Sequence, residues 1–391
     1  MVLLLAAISF AEAGLQLHLH NNQQTLFRPH PTLHWAPRAN LTDFTDRTGA
    51  TISTNSDGFR AAVGHTKSPN RYRIVVLGDS SNFGHGVSAT AMWSAQLEQL
   101  LRAHSKHSIE VINAACPGWT TWQGRELLET TLKKYQPDLV LAGFNNDSGP
   151  DFMTDRQRVP QQKWVRALNA VLFKSELYLL GREAVLSILR RFSTRSQRAY
   201  QQRLAGERSN YGALKEGERE NLVPRVSLNE LKQNMLAMRD QSMALDASFV
   251  WINMPVNRRE TELVNRYVDW RYRALIREHS DQWKVPVIDV DARWQSTRED
   301  GLHIFGHVFH PNAIGHRRLA EQVAAELISS NIIESTGQPH IGGPEPATTP
   351  RTLRLGWSSN TPLHALLGST LELLPELAKR HGIELELRSF S

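Results

Sequence analysis

A serine, a glycine, two asparagines and a histidine stand at positions of the sequence where catalytic groups are commonly held. They are Ser80 in Gly78-Asp79-Ser80-Ser81, Gly118 at the end of Asn113–Gly118, Asn145 and Asn146 after Gly143, and His310 before Pro311. A serine hydroxyl becomes a nucleophile when a base is close by, and an imidazole is the usual base. Turn amides and an asparagine side chain hold the negative charge that forms on an attacked carbonyl oxygen. These residue types predict acyl transfer through a covalent serine intermediate.

These residues lie next to the elements of an alternating pattern of strands and helices. The predicted strands are Ile74–Leu77, Ile109–Ala114, Asp138–Phe144, Phe249–Met254 and Val285–Val290, and the predicted helices are Met92–Arg102, Arg125–Tyr135, Leu228–Leu245, Glu260–Trp283 and about Ala313–Ile328. Such alternation predicts a three-layer α/β/α sandwich around a central parallel sheet of five strands. Ligands bind outside the carboxyl ends of the strands in such sheets. Ser80, Gly118 and the two asparagines follow the first three strands and are therefore expected at one edge of the sheet.

In chain order, the four segments resemble the blocks of the SGNH or GDSL hydrolase family over roughly residues 70–330. The resemblance implies a flavodoxin-like fold and a serine esterase or acylhydrolase. It also implies that Ser80 is the nucleophile and His310 the general base. The amides of Ser80 and Gly118, with an asparagine side chain of the third block, would form the oxyanion hole.

Two of these blocks depart from the family pattern. The third usually reads G-x-N-D, but this chain has one extra residue between the glycine and the aspartate. Asn145 stands two residues after Gly143, as the asparagine of the pattern does, whereas Asn146 directly precedes Asp147, as that asparagine also does. Asn146 is preferred. The fourth usually has an aspartate three residues before the histidine, and that position is His307. A base histidine works best when a carboxylate orients it, so Asp300 is predicted to take that role. The alternative is a serine–histidine dyad supported by a backbone carbonyl.

The predicted reaction is hydrolysis of small acyl esters, with O-acetyl groups on carbohydrate outside the cytoplasm as the favoured substrates and lipid or simple esters as the second choice. An O-acyltransferase, in which a sugar hydroxyl replaces water, is the first alternative. A non-catalytic binding module, in which the altered fourth block marks lost activity, is the second.

Composition argues against several other classes of function. The 391 residues include 45 basic and 39 acidic ones, which are interspersed without a zinc-finger or RNA-recognition pattern, so nucleic-acid binding is not expected. The single cysteine, Cys116, excludes an internal disulfide and a multi-cysteine metal site. His303, His307, His310 and His316 are close in sequence, but no carboxylate joins them at a known ligand spacing. Neither a metal nor a cofactor is expected.

The amino-terminal residues 1–20 look like a signal or membrane-anchor segment. Val2–Phe10 is an almost unbroken apolar run, and Ala11-Glu12-Ala13 is typical of a secretory cleavage site. No basic residues precede the run, and it is shorter than the ~20 residues that cross a membrane. Export is predicted, to the periplasm or to a membrane-anchored position outside the cytoplasm; a core helix is the alternative.

Three further segments lie outside the predicted hydrolase domain, residues 73–332, or interrupt it. Residues 21–72 form an amino-terminal lead-in, and residues 151–224 form a helical insertion that either covers the sheet edge or acts as a lid. Residues 333–350 are a linker, and residues 351–391 are predicted as strand, helix and strand. In that tail Leu353–Trp357 and Leu377–Ile383 resemble the opening of a periplasmic substrate-binding protein; the sequence does not identify the partner of the tail.

Overall fold

The computed structural model divides the chain into two compact units, Met1–Pro339 and His340–Ser391. The residues that it describes are 9–16, 18, 25–46, 48–61, 64–151, 153–160, 162–192, 222–261, 264–265, 268–297, 301–334, 351–358 and 383–390.

Strands and helices of the described residues are numbered in chain order. The strands are β1 (Phe27–His30), β2 (His34–Pro37), β3 (Phe44–Thr45), β4 (Thr51–Ile52), β5 (Arg71–Gly78), β6 (Ser108–Asn113), β7 (Leu139–Gly143), β8 (Pro150–Asp151), β9 (Val223–Pro224), β10 (Ser248–Asn253), β11 (Val287–Asp289), β12 (Arg351–Ser358) and β13 (Ile383–Phe390). The helices with named bounds are α1 (Ser80–Phe83), α2 (Trp93–His104), α3 (Thr121–Thr130), α4 (Lys163–Leu172), α5 (Glu176–Phe192), α6 (Leu228–Met243), α7 (Trp270–His279), α8 (Val290–Ser296) and α9 (Ala313–Ser329). Residues 9–16 are also helical.

The central sheet has five parallel strands in the order β11-β10-β7-β5-β6. Every residue of β7 is buried, as expected for a parallel strand covered on both faces. Helix α2 packs against α9, whereas α6 packs against both α3 and α7, so the helices form two groups around the sheet. The predicted α/β fold with five parallel strands is confirmed. The strand order reverses at β5, between β6 and β7, and ligands bind at such a switch point.

The predicted strands all exist, and their bounds differ by one to three residues from those observed. Two helices differ more. Helix α3 begins at Thr121 rather than Arg125, because Thr120 and Gln123 form a capping box at its start. The predicted helix Glu260–Trp283 is wrong in extent: α7 is shorter, and Asp269 caps it by accepting from the Arg271 amide.

Two hairpins, β1–β2 and β3–β4, make up much of the lead-in. The Arg60 amide donates to the Asn113 carbonyl at 3.1 Å, which attaches the lead-in to the end of β6. Trp35 on β2 is buried in the main hydrophobic core. The lead-in is therefore packed on the α/β domain.

The insertion contains helices α4 and α5, and its two ends form strands. β8 and β9 pair antiparallel, so the segment is not helical throughout. Next to this pair, the ion pairs Arg158–Asp151 at 2.6 Å and Arg225–Asp155 at 2.7 Å are fully buried. Removing one partner of such a pair would leave a buried charge uncompensated. The ends of the insertion are thus firmly joined.

The carboxy-terminal unit contains β12 and β13, which pair in parallel as two strands of the tail. The helix predicted over residues 362–381 lies outside the described residues. Within the described ranges, no helix is both long enough and apolar enough to cross a membrane.

Candidate active site

Ser80 is the first residue of α1 and follows strand β5 after a single intervening residue, Asp79. Asp79 caps this single turn, because its Oδ1 accepts from the Ser81 amide at 2.9 Å. A Cβ on Gly78 would lie 2.1 Å from Nδ2 of Asn82, so only glycine fits at the end of the strand. That Nδ2 donates to the Gly143 carbonyl at 2.7 Å, which packs the turn against the end of β7. The backbone therefore holds Ser80 at the switch point of the sheet.

His310 reaches this serine from the loop before α9. Its Nε2 lies 2.7 Å from Ser80 Oγ, the contact that a general base needs. The neighbouring Phe309 carbonyl accepts from Ser81 Oγ at 2.8 Å. Asn312 caps α9 through the Gly315 amide. Hydrogen bonds to residues on both sides of His310 in the chain therefore hold the backbone that carries the imidazole.

Two further imidazoles lie against His310. His307 Nδ1 is 2.6 Å from His310 Nδ1, and the His85 ring centroid is 4.5 Å from that of His310. Nitrogen ligands of the three histidines lie within 4.8 Å of one another. Two nitrogens on one tetrahedral zinc ion stand about 3.3 Å apart, given metal–nitrogen bonds of about 2.0 Å. The 2.6 Å contact suits a hydrogen bond rather than shared coordination.

The loop after β6 presents the Gly118 amide. Gly118 has φ of +80°, and a Cβ there would lie 3.0 Å from the Trp35 ring. Trp35 Nε1 donates to the Pro117 carbonyl at 3.0 Å, which orients the peptide group that carries the Gly118 N–H. Arg225 donates to the Gly118 carbonyl at 2.5 Å. Among the described residues no acceptor binds the Gly118 N–H, so this donor is available to a ligand.

The two asparagines of the third block have different surroundings. The Asn145 amide N–H donates to Asp79 at 2.6 Å, and its side chain lies between Ser81 Oγ and Arg273. Asn146 Nδ2 instead donates to the carbonyl of Trp119, the residue that follows Gly118, at 3.1 Å. An amide nitrogen carries two hydrogens, so a second donor remains on Asn146. Asn146 lies beside the Gly118 loop, whereas Asn145 joins the third block to the first.

Buried carboxylates support these loops. Burial raises the pKa of Asp79, which lies between the Ser81 and Asn145 amides. Burial also raises the pKa of Asp147 to about 7; this carboxylate accepts from both the amide and the hydroxyl of Thr121. These contacts fix the first turn of α3, which follows the Gly118 loop.

The structure brings Ser80 and His310 into contact and places Gly118 and Asn146 on adjacent loops. Asp300 lies outside the described residues, so its orienting role stays a prediction. Sequence reasoning did not identify Trp35 as a partner of the Gly118 loop, because the two are joined by the fold alone.

Two histidines next to the base were not predicted to contact it. His307 occupies the position of the family aspartate, and this i−3 spacing indicated its proximity, but the orienting role was predicted for the carboxylate of Asp300. His85 lies far from His310 in the sequence, and no local pattern links the two.

Comparisons with known proteins assign most of the α/β domain to a family. Residues 76–318 match the model of the GDSL-like lipase/acylhydrolase family. Over 91 residues the chain is 37% identical to thioesterase 1/protease 1/lysophospholipase L1 of Escherichia coli strain K12. This alignment covers 23% of the chain and 38% of the relative, so the chain matches well under half the length of that protein.

Solved structures similar to the chain include TesA, with 16% identity and a TM-score of 0.40, covering 66% of this chain and 98% of that one. They also include a lipase/acylhydrolase from Enterococcus faecalis, with 14% identity and a TM-score of 0.40, covering 67% and 97% of the two chains. The family match spans more than half of the chain and confirms the resemblance seen in the four blocks. The chain belongs to the GDSL-like lipase/acylhydrolase family.

Proposed function

We propose that this protein hydrolyses carboxylic esters through an acyl-serine intermediate on Ser80. The observation that carries the proposal is the 2.7 Å contact between Ser80 Oγ and His310 Nε2. A hydroxyl held by an imidazole at this distance loses its proton as it attacks a carbonyl carbon.

In the first step His310 Nε2 takes the Ser80 proton while Oγ bonds to the carbonyl carbon. The negative charge on the carbonyl oxygen is held by the N–H groups of Ser80, Gly118 and Asn146. The Ser80 amide stands at the start of α1, where no intrahelical acceptor is in reach. When the intermediate collapses, His310 returns the proton to the departing alcohol. Water then attacks the acyl-serine by the same route and releases the acid.

His307 orients the base in this mechanism. Because His310 Nε2 must accept the serine proton, its Nδ1 carries the hydrogen. That hydrogen points to His307 Nδ1, 2.6 Å away, which must therefore be the unprotonated acceptor. A neutral imidazole fixes the tautomer of His310 as a carboxylate would, but it stabilises the imidazolium less strongly. His307 is a positioning residue in this proposal.

Small acyl groups, such as acetyl on carbohydrate, are the proposed substrates. The cavity of about 30 Å³ beside Asn145 is not lined by Ser80, Gly118 or His310, so the size of the acyl group is inferred from the sequence and not from this cavity. Action outside the cytoplasm is part of this proposal and is supported by the apolar run Val2–Phe10.

The test is product analysis with a small aryl acetate, with and without a sugar acceptor. Release of free acetate with and without the sugar supports hydrolysis, whereas accumulation of stable acetyl-sugar shows that the protein is an O-acyltransferase. Ser80→Ala should lower turnover by about 10⁴-fold or more. Equal turnover of this variant and the wild type would contradict the proposed role of Ser80.

A further inference from the structure

The exposed apolar side chains of the described residues are concentrated on the insertion. Helix α4 has no buried residue, although its sequence separates apolar from polar positions. Trp164, Leu168 and Val171 are 69%, 47% and 66% exposed. Their i, i+4, i+7 spacing places them in one stripe along the helix. An amphipathic helix normally buries such a stripe, and here it faces outward.

Basic residues stand at both ends of this stripe. Lys163 begins α4, Lys174 follows its end, and both are exposed. A helix with tryptophan and aliphatic residues on one face and lysines at its margins is typical of helices that lie in a membrane interface. Lysine stems lie along the apolar face while their charges reach the lipid head groups.

The α4–α5 turn is attached both to the body of the protein and to the amino-terminal segment. Arg28 donates to the Phe173 carbonyl at 2.7 Å and pairs with Glu176 at 3.3 Å. Glu12 accepts from the Glu176 and Leu177 amides at 2.7 and 3.0 Å. These contacts therefore fix the end of helix α4 to the domain.

Glu12 stands two residues after the apolar run Val2–Phe10, and Phe10 itself is 80% exposed. The residue that binds the first turn of α5 therefore lies close in the chain to the end of the apolar run. Helix α5 continues the apolar surface with Leu180, Val185 and Ile188, each at least 57% exposed.

We propose that α4 docks on the surface of an anionic lipid bilayer, with Trp164, Leu168 and Val171 inserted among the lipids. The stripe supplies the apolar contact, and Lys163 and Lys174 supply the attraction to anionic head groups. The inference does not depend on the proposed ester hydrolysis.

The test uses an environment-sensitive fluorophore at single introduced cysteines in the full chain. The native Cys116 is fully buried, so the wild-type chain serves as the control for labelling. Val171→Cys reports on the stripe. Met243→Cys is the matched control, because Met243 is 63% exposed on α6, outside the stripe. Circular dichroism melting confirms that each labelled variant is folded.

Vesicles of mixed phosphatidylcholine and phosphatidylglycerol should shift the emission of the label at Val171→Cys to the blue and raise its intensity. The label at Met243→Cys should stay unchanged, and high salt should weaken the response at residue 171. No shift at residue 171, or equal shifts at both positions, overturns the proposal. A shift that needs no vesicles and grows with protein concentration also overturns it, because a second copy of the chain would then cover the stripe.

Discussion

The contact between His307 and His310 leads to a graded series of variants at position 307. His307→Ala removes the acceptor for the His310 Nδ1 hydrogen, 2.6 Å away. A neutral hydrogen bond contributes roughly 0.5–1.5 kcal/mol, so kcat should fall by about 2- to 13-fold. His307→Asp restores the usual family spacing, and a charge-assisted bond adds about 1 kcal/mol or more, so kcat should rise above wild type by about fivefold or more.

The assay is turnover of a small aryl acetate across pH. A carboxylate at position 307 favours the imidazolium form of His310, so the acid limb of the kcat/KM profile should move to higher pH in His307→Asp. His307→Asn is the matched control, because it offers a neutral acceptor and should leave the limb in place. The reasoning is refuted if His307→Ala matches wild type and His307→Asp shows neither the higher turnover nor the shifted limb.

Three further predictions concern the surroundings of the site. Trp35→Phe removes the N–H that orients the peptide before Gly118, so kcat should fall by about 2- to 13-fold with KM little changed; unchanged kcat would contradict this role. Burial raises the pKa of Asp147 from 3.8 to about 7, so the native state binds this proton more tightly than the unfolded chain. As the pH rises from 3.8 to 7, the free energy of unfolding in urea should therefore fall for wild type and fall less for Asp147→Asn. Equal falls in the two proteins would contradict the raised pKa of the buried carboxyl. Deleting Gly337–Ser391 should leave esterase activity largely intact, because the proposed catalytic residues lie upstream; a folded truncation that lost most activity would count against this division.

The sequence predicts the sheet and the place of Ser80 at a strand end because both depend on local patterns. The apolar run of β5 followed by Gly78-Asp79-Ser80 is sufficient to place a serine at a strand end. The start of α3 was misplaced because its capping box lies before the apolar spacing begins. Patterns of this kind extend over a few residues, and their errors are confined to the ends of elements.

The partners of the site were harder to predict because they come from distant parts of the chain. Trp35 reaches Pro117 across 82 positions, and His85 meets His310 through the packing of two loops. Only the folded sheet brings these segments together. The exposed stripe of α4 shows a related limit, since helical spacing predicts an apolar face but not whether that face is buried.

The central claim is that His310 activates Ser80 as the nucleophile. The most direct measurement is the reaction of the full chain with a fluorophosphonate, followed by mass spectrometry of its peptides. We expect one adduct on Ser80, strongly slowed labelling in His310→Ala, and no labelling in Ser80→Ala. A folded wild-type chain that takes up no probe, or an adduct that persists in Ser80→Ala, would contradict the claim.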